Sequence, residues 1–575
     1  MATPQSGAAD KQLDADDTSH ENQAGQWKPS SHEMMVMLTL AVVSLMVSLD
    51  ATIIITSLST IIRAFDASTT QGFWIGTSYL LTCAVTMPFT ASISNILGRP
   101  HCLFASILFF TVGTILCVVA HDIGLLLAGR CVQGVGGGGI IILSGVIFTD
   151  IVPLRFRPKY LAIIQAAWAL GTCIGPLVGG AFATPRLWRW VFYLMFPFCG
   201  IGLICVPVFV RLRPRESTWT EMFNRVDWLG GILFISSATA FLIAISWGGT
   251  QEPWSSFRTI VPLVLGSAGL IATVLWERYG ATEAFLRHSL FHTPSAFAVY
   301  AGAFCQGLIL YGQLYYIPFF FESVKLDSPV RTGVSLLAVT LILVPTSVVC
   351  GSLITRTGTY RWTIWAGWVI LTLATGLTII WDAHTSTAVW VVVLVLLGLG
   401  HGLLLNSLIC ASQAISLPGD EGAAFAMYAF LRTFGMAIGV GIGGSVFQNV
   451  MSVKLEDLNL PTSIARNAEA YITVLKAGNQ PDLAAVINAY TYGFHGVFAF
   501  LCGLGGLALV MCCFVGHFAI DKELNTEHKL DSGPRMSWRL SKMTKNSQSQ
   551  SEGLSQSQIA SLKGSELDNL GNNAA

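Results

Sequence analysis

The sequence predicts an all-α polytopic membrane protein: two six-helix halves, a helix pair inserted between them, and 14 transmembrane helices in all. Three observations carry this. Of 575 residues, 53% are hydrophobic and only 11% charged, with mean hydropathy +0.62, whereas an ordinary soluble protein is about 25% charged. Apolar runs near 20 residues, about the length that crosses a bilayer, recur along the chain. Two stretches also repeat each other at nearly equal offsets.

The apolar runs lie at 35–57, 72–94, 101–120, 124–148, 160–183, 190–210, 228–247, 259–276, 295–320, 332–354, 362–381, 388–412, 423–447 and 493–517. An even number puts both ends of the chain on one side. Loops on that side carry Arg99, Arg155, Arg157, Lys159, Arg211, Arg213, Arg215, Arg225, Arg278, Arg287, Arg356 and Arg361, which is 12. The short opposite loops carry Arg63, Arg186, Arg189, Arg258, Lys325 and Arg331, which is 6. Twofold asymmetry puts both tails in the cytoplasm, since short cytoplasmic loops are enriched in Lys and Arg.

The repeat sets the domains. ALGTCIGPLVGG (169–180) and TFGMAIGVGIGG (433–444) match Gly171, Gly175, Gly179 and Gly180 with Gly435, Gly439, Gly443 and Gly444, at an offset of 264. ASISNILGRPH (91–101) and GSLITRTGTYR (351–361) match Gly98 with Gly358 at 260. The expected plan is a polar tail at 1–33, a six-helix half at 34–210, and a linker with two extra helices at 211–290. A second six-helix half at 291–520 and a Ser/Gln-rich tail at 521–575 complete it. Both tails read as disordered cytoplasmic segments, and the first lacks the apolar core of a signal peptide. Parallel six-helix halves are a transporter architecture.

Composition excludes other classes. Soluble enzymes do not fit so apolar a chain, and 32 Lys+Arg against 32 Asp+Glu leaves no basic surface for nucleic acid. Gly134, Gly136 and Gly139 satisfy G-x-G-x-x-G, but the preceding stretch is an apolar helix and a dinucleotide site needs a strand there. No phosphate-binding G-x-x-x-x-G-K-[ST] occurs. No enzyme activity, cofactor or metal is expected. The 13 cysteines include Cys83, Cys117, Cys131, Cys173, Cys410, Cys512 and Cys513 inside apolar stretches, where a thiol acts as a small hydrophobe.

Several motifs then point to one family. SLDATIIITSLSTI holds Asp50; WIGTSYLL (74–81), ASISNILGRP (91–100) with Asn95, Gly98 and Arg99, and LLAGRCVQGVGGG (126–138) with Arg130 follow. LGTCIGPLVGG (170–180), WRWVFYLMFP (188–197), DWLGG (227–231) and LYYIPFFFESV (314–324) complete the set. Over roughly 35–517 the chain resembles the major facilitator superfamily, in the fourteen-span drug:proton antiporter branch common among fungal efflux pumps. The resemblance implies the major facilitator fold, proton coupling, and an antiporter motif at Gly171, Gly175, Pro176, Gly179 and Gly180. Asn95 and Met195 depart from the pattern, which carries an acidic residue and an asparagine there.

Asp50 and Arg130 lie inside apolar spans, where a charge costs a few kcal/mol and is usually functional. Burial and an arginine pull a carboxyl's proton affinity in opposite senses, which suits Asp50 to load and release a proton. A mutually neutralising strut is the alternative reading. Pro176 has no counterpart in the second repeat copy, which holds Val440, so a bend is expected in the fifth span only. Arg432 is expected to snorkel from a cytoplasmic helix end, and Asp150 with VPLRFRPKY to anchor a loop. Gln133, Gln165, Trp168, Gln306, Gln313, Tyr315 and Asn406 are polar or amphipathic groups at membrane depth, candidates to anchor a ligand in a largely apolar cavity.

The function these features predict is proton-coupled export of hydrophobic small molecules: drugs, toxins or a secondary metabolite. Uptake of an iron–siderophore complex is the rival, and a channel or non-transporting sensor is the alternative from another class. The expected partners are the substrate, protons and the lipid bilayer, for a monomer in the plasma membrane or else the vacuolar membrane.

Overall fold

A computed structural model describes residues 28–67, 69–184, 186–211, 225–249, 252–281, 284–477 and 482–520. The two predicted tails lie outside the described residues, apart from 28–33. The described chain is helical, with an isolated bridge between Gly248 and Glu252 as its only extended pairing.

The first half is α1 (Ser31–Ala64), α2 (Thr69–Leu97), α3 (Arg99–Val119), α4 (Ile123–Ile151), α5 (Arg157–Phe182) and α6 (Met195–Phe209). The inserted pair is α7 (Trp228–Trp247) and α8 (Phe257–Tyr279). The second half is α9 (Pro294–Ser323), α10 (Pro329–Thr357), α11 (Arg361–Thr378), α12 (Thr387–Ile415), α13 (Glu421–Asp457) and α14 (Leu483–Cys512). Thirteen of these helical stretches are long and apolar enough to cross a membrane. The other, α11, has 18 residues and opens on Arg361.

Local chemistry explains the boundaries. A capping box starts α1: Ser30 Oγ accepts from the Glu33 amide at 3.2 Å, and Glu33 Oε2 accepts from the Ser30 amide at 2.6 Å. Gly98 joins α2 to α3 at φ 96°, and Gly358 ends α10 at φ 69°. The looser repeat therefore marks two reversals that a side chain would strain. Asp227 of DWLGG caps α7 and accepts from Trp276 Nε1 of α8 at 3.0 Å, fastening the inserted pair. Along α8, Phe257 is 77% exposed and Leu265 and Ile271 64%, an apolar face suited to lipid.

Two predicted boundaries move. α13 runs to Asp457, and α14 begins at Leu483, ten residues before the predicted span. At 37 residues α13 is about 55 Å long, so its charged end projects past an apolar layer of about 30 Å. The polar start of α14 is held by protein, with Tyr490 Oη donating to the Ala468 carbonyl at 2.6 Å and His495 Nε2 lying 2.8 Å from the Trp381 carbonyl.

The glycine repeat forms two equivalent seams. A Cβ at Gly171, Gly175 or Gly179 would strike α1 at Ser48, Thr52 and Ile53, and one at Gly435 or Gly439 would strike the α9 backbone at Phe304 and Leu308. Gly443 faces the Tyr316 ring in the same way. Thr56 Oγ1 donates to the Pro176 carbonyl at 2.8 Å, and Tyr316 Oη to its counterpart at Val440, also at 2.8 Å. Close backbone approach through small residues is how membrane helices associate. Gly180 faces the other half instead, toward Val330 of α10.

Candidate functional site: a buried charge cluster beside a central cavity

Asp50 of α1 and Arg130 of α4 meet although 80 residues separate them. Arg130 Nη1 donates to Asp50 Oδ2 at 2.7 Å and to Gln133 Oε1 at 2.7 Å, and its Nε donates to the Ile75 carbonyl at 3.0 Å. Gln133 Nε2 donates to Asp50 Oδ1 at 2.9 Å and to Thr114 Oγ1 at 3.0 Å. Asp50 and Gln133 are fully buried and Arg130 is 1% exposed. Each ionised group thus has both a counter-charge and further hydrogen bonds, the condition for holding charge away from water. The guanidinium stacks 4.3 Å from the Tyr79 ring centroid.

The other side of Tyr79 is a cavity between the halves. Its first lobe is lined by Ala51, Tyr79, Gln165, Trp168, Tyr311 and Arg432, among others. The second shares Gln165, Trp168 and Arg432 and adds Gln306, Gln313 and His401 within a mainly aliphatic wall. Of the predicted cavity residues, Gln165, Trp168, Gln306 and Gln313 lie here. Gln133 lies in the charge cluster instead. Asn406 turns away, its Nδ2 donating to Ser347 at 2.9 Å (carbonyl) and 3.0 Å (Oγ).

Tyr315 is placed elsewhere too. Its hydroxyl donates at 2.7 Å to Glu469 Oε1 in the short helix Ala468–Ala477, which connects α13 to α14. Burial makes Glu469 hold its proton more tightly than an ordinary carboxyl, and the Tyr315 hydrogen bond only partly offsets this. The proton-bound form therefore favours the docked segment, and docking weakens as pH rises through the raised value. Hydrogen exchange of the 458–477 segment is expected to speed up with rising pH beyond the intrinsic rate change. Glu469→Gln, which keeps an acceptor for Tyr315, is expected to remove that extra dependence.

Arg432 corrects its sequence expectation. It sits 11 residues into α13, about 16 Å from the helix start, too deep to snorkel. Its Nε donates to Gln306 Oε1 at 2.8 Å; Gln306 Nε2 lies 3.5 Å from His401 Nδ1, and His401 Nε2 2.9 Å from Gln313 Oε1. Gln313 Nε2 donates to Thr375 Oγ1 at 2.8 Å. His401 is 1% exposed and was not singled out by sequence; an isolated histidine inside the apolar run of α12 is the signal for it.

The loop motif and the region after α4 hold the side bearing Arg99. Arg99 Nε pairs with Asp150 Oδ2 at 2.8 Å, and its Nη1 donates to Ser94 Oγ at 2.9 Å. Asp150 thus supplies the acidic partner that Asn95 does not. Arg157 donates to the Val152 and Thr149 carbonyls at 2.7 Å each and to Gln413 Oε1 of the second half at 3.2 Å.

Comparison places this arrangement among known proteins. A profile described as "Major Facilitator Superfamily" matches residues 40–440. The chain is 39% identical over 511 residues to "MFS transporter L2" of a Phoma species, covering 88% of this chain and 85% of the relative. It is 34% identical over 505 residues to "MFS efflux transporter aclA" of Aspergillus oryzae, covering 86% and 91%. "Efflux pump FUS6" of Gibberella fujikuroi is 34% identical over 515 residues, covering 88% and 92%. Among solved structures, the human organic anion transporter MFSD10 (TETRAN) superposes with TM-score 0.54 at 15% identity, over 84% of this chain and 100% of that one, a likeness of fold alone. With two six-helix halves packed about a central cavity and this extent of sequence match, the chain belongs to the major facilitator superfamily.

Proposed function

We propose that this protein is a proton-coupled exporter of hydrophobic small molecules, crossing the membrane 14 times with both ends cytoplasmic. Asp50 is the proton carrier and Arg130 the fixed charge that biases it. The observation that carries the reading is the buried Asp50–Arg130–Gln133 cluster, in which both carboxylate oxygens of Asp50 are hydrogen-bonded, one aromatic ring away from a cavity of mostly apolar wall. Protonation of Asp50 would release Arg130 and Gln133 to reorient toward Tyr79, coupling the proton to the cavity. Export, as opposed to siderophore uptake, is supported by relatives named as efflux pumps.

The test is counterflow in proteoliposomes against a panel of dyes, azoles, mycotoxin-like compounds and iron–siderophore complexes. At least one apolar compound is expected to exchange, with uptake into inside-out vesicles driven by an acid interior. Exchange that ignores the proton gradient, or is confined to the siderophore complexes, would overturn the reading.

A further inference from the structure

The central cavity contains a cation that the protein does not neutralise. Both lobes reach Arg432, and neither is lined by an Asp or Glu. Among the described residues no carboxylate lies within ion-pair distance of its guanidinium. Asp50 is already matched to Arg130 behind Tyr79. An arginine stays charged at any physiological pH, and a desolvated charge without a partner is costly. Its position is nonetheless fixed. Gln306 holds Nε, and the chain of bonds through His401 and Gln313 to Thr375 pins Gln306 across three helices. The Nη1 and Nη2 donors are left without a protein acceptor among the described residues. The fork therefore points two donors and a full charge into a space whose remaining wall is mainly Trp168 and aliphatic side chains such as Leu310, Leu314 and Leu343, with Gln165, Thr172 and Thr340 as its uncharged polar groups.

We propose that the cavity selects hydrophobic organic acids in their anionic form, with Arg432 binding the acid group through Nη1 and Nη2 and the aliphatic lobe taking the apolar body. This rests on the exporter reading and narrows its substrate. A planar guanidinium meets a carboxylate or delocalised enolate with paired donors, and hydrogen bonds between charged groups are stronger than those to neutral acceptors. The preference over an uncharged ester of the same shape is therefore expected to be about tenfold or more.

The probes are pyrenebutyrate and its methyl ester, titrated at neutral pH into wild-type protein in lipid nanodiscs, with empty nanodiscs subtracted. Tryptophan-to-pyrene energy transfer reports binding, and thermal unfolding of the wild type with each probe gives a measurement that needs no variant. The expected result is tighter binding and a larger thermal shift for the acid. Arg432→Gln should bring acid affinity down to that of the ester and leave the ester unchanged, while Arg432→Lys retains part of the preference. Equal effects of acid and ester on the wild type, binding of neither, or a preference that survives in Arg432→Gln would overturn the proposal. The exporter reading fails separately, through counterflow that ignores the proton gradient, because the binding experiment imposes no gradient.

Discussion

Asp50→Asn is expected to abolish proton-driven transport while the protein still folds and still binds substrate. The amide keeps the carboxylate's shape and can still accept from Arg130 Nη1, which donates to Asp50 Oδ2 at 2.7 Å. It removes the titratable group and places an NH2 near Gln133 Nε2, which now donates to Oδ1 at 2.9 Å; that bond is lost, because flipping the Gln133 amide would turn its NH2 toward the Arg130 Nη1 donor. Gradient-driven accumulation should fall to background, a loss of about 100-fold or more, as expected when a reaction loses its only proton acceptor. Substrate-induced proton release in detergent, measured beside binding, is the readout. Accumulation with unchanged pH dependence would remove Asp50 from the coupling step.

Arg130→Gln carries the second large effect. Without the guanidinium, Asp50 is left fully buried with no counter-charge, and removing one partner of a buried pair costs about 3–5 kcal/mol. The carboxyl escapes that penalty by keeping its proton, so proton release should stall in every state of the cycle. Arg130→Lys should be partly tolerated, since the charge survives although its three contacts to Asp50, Gln133 and the Ile75 carbonyl cannot all be made. The double variant Asp50→Asn with Arg130→Gln separates coupling from scaffolding. It should match the single variants in protein yield, because no charge is left unpaired, and should not restore proton-dependent transport. Recovery of both would make the pair a strut.

The sequence revealed most where physics penalises alternatives. Asp50 and Arg130 were legible because an ionisable residue in an apolar span is expensive. Their meeting was not, since it depends on how α1 and α4 pack. The glycine spacing at 171–179 and 435–443, legible as a repeat, coincides with both seams, for only a missing side chain permits that approach. Arg432 was misplaced because hydropathy locates a helix but not which way a side chain near its cytoplasmic end turns: α13 starts at Glu421, close to the expected boundary, and Arg432 is turned to Gln306 of α9. Glu469 and His401 were missed for different reasons. Glu469 lies in a connection too short to read as a span, where a carboxylate attracts no notice, and His401 acquires meaning only through partners on α9. Tyr315 showed the converse: an aromatic at membrane depth whose hydroxyl is taken by a group outside the spans.

The seam between α1 and α5 has a mechanical meaning. Gly171 and Gly175 lie against Ser48 and Thr52, which flank Asp50 on either side. The Ser48 and Thr52 hydroxyls fill the contact, with the α1 backbone at Leu49 and Ile53 close behind, so little free space separates the two helices. The same α5 continues along α10 of the other half, with Leu177 beside Gly333 and the Pro158 carbonyl beside Gly351. A tilt of α1 at Asp50 would therefore press on α5, and through it on the boundary between halves, as a crank does. Inserting a methyl at Gly175 would do more than crowd one contact: it would add play to the linkage, letting the Asp50 end and the α10 end of the machine move out of step.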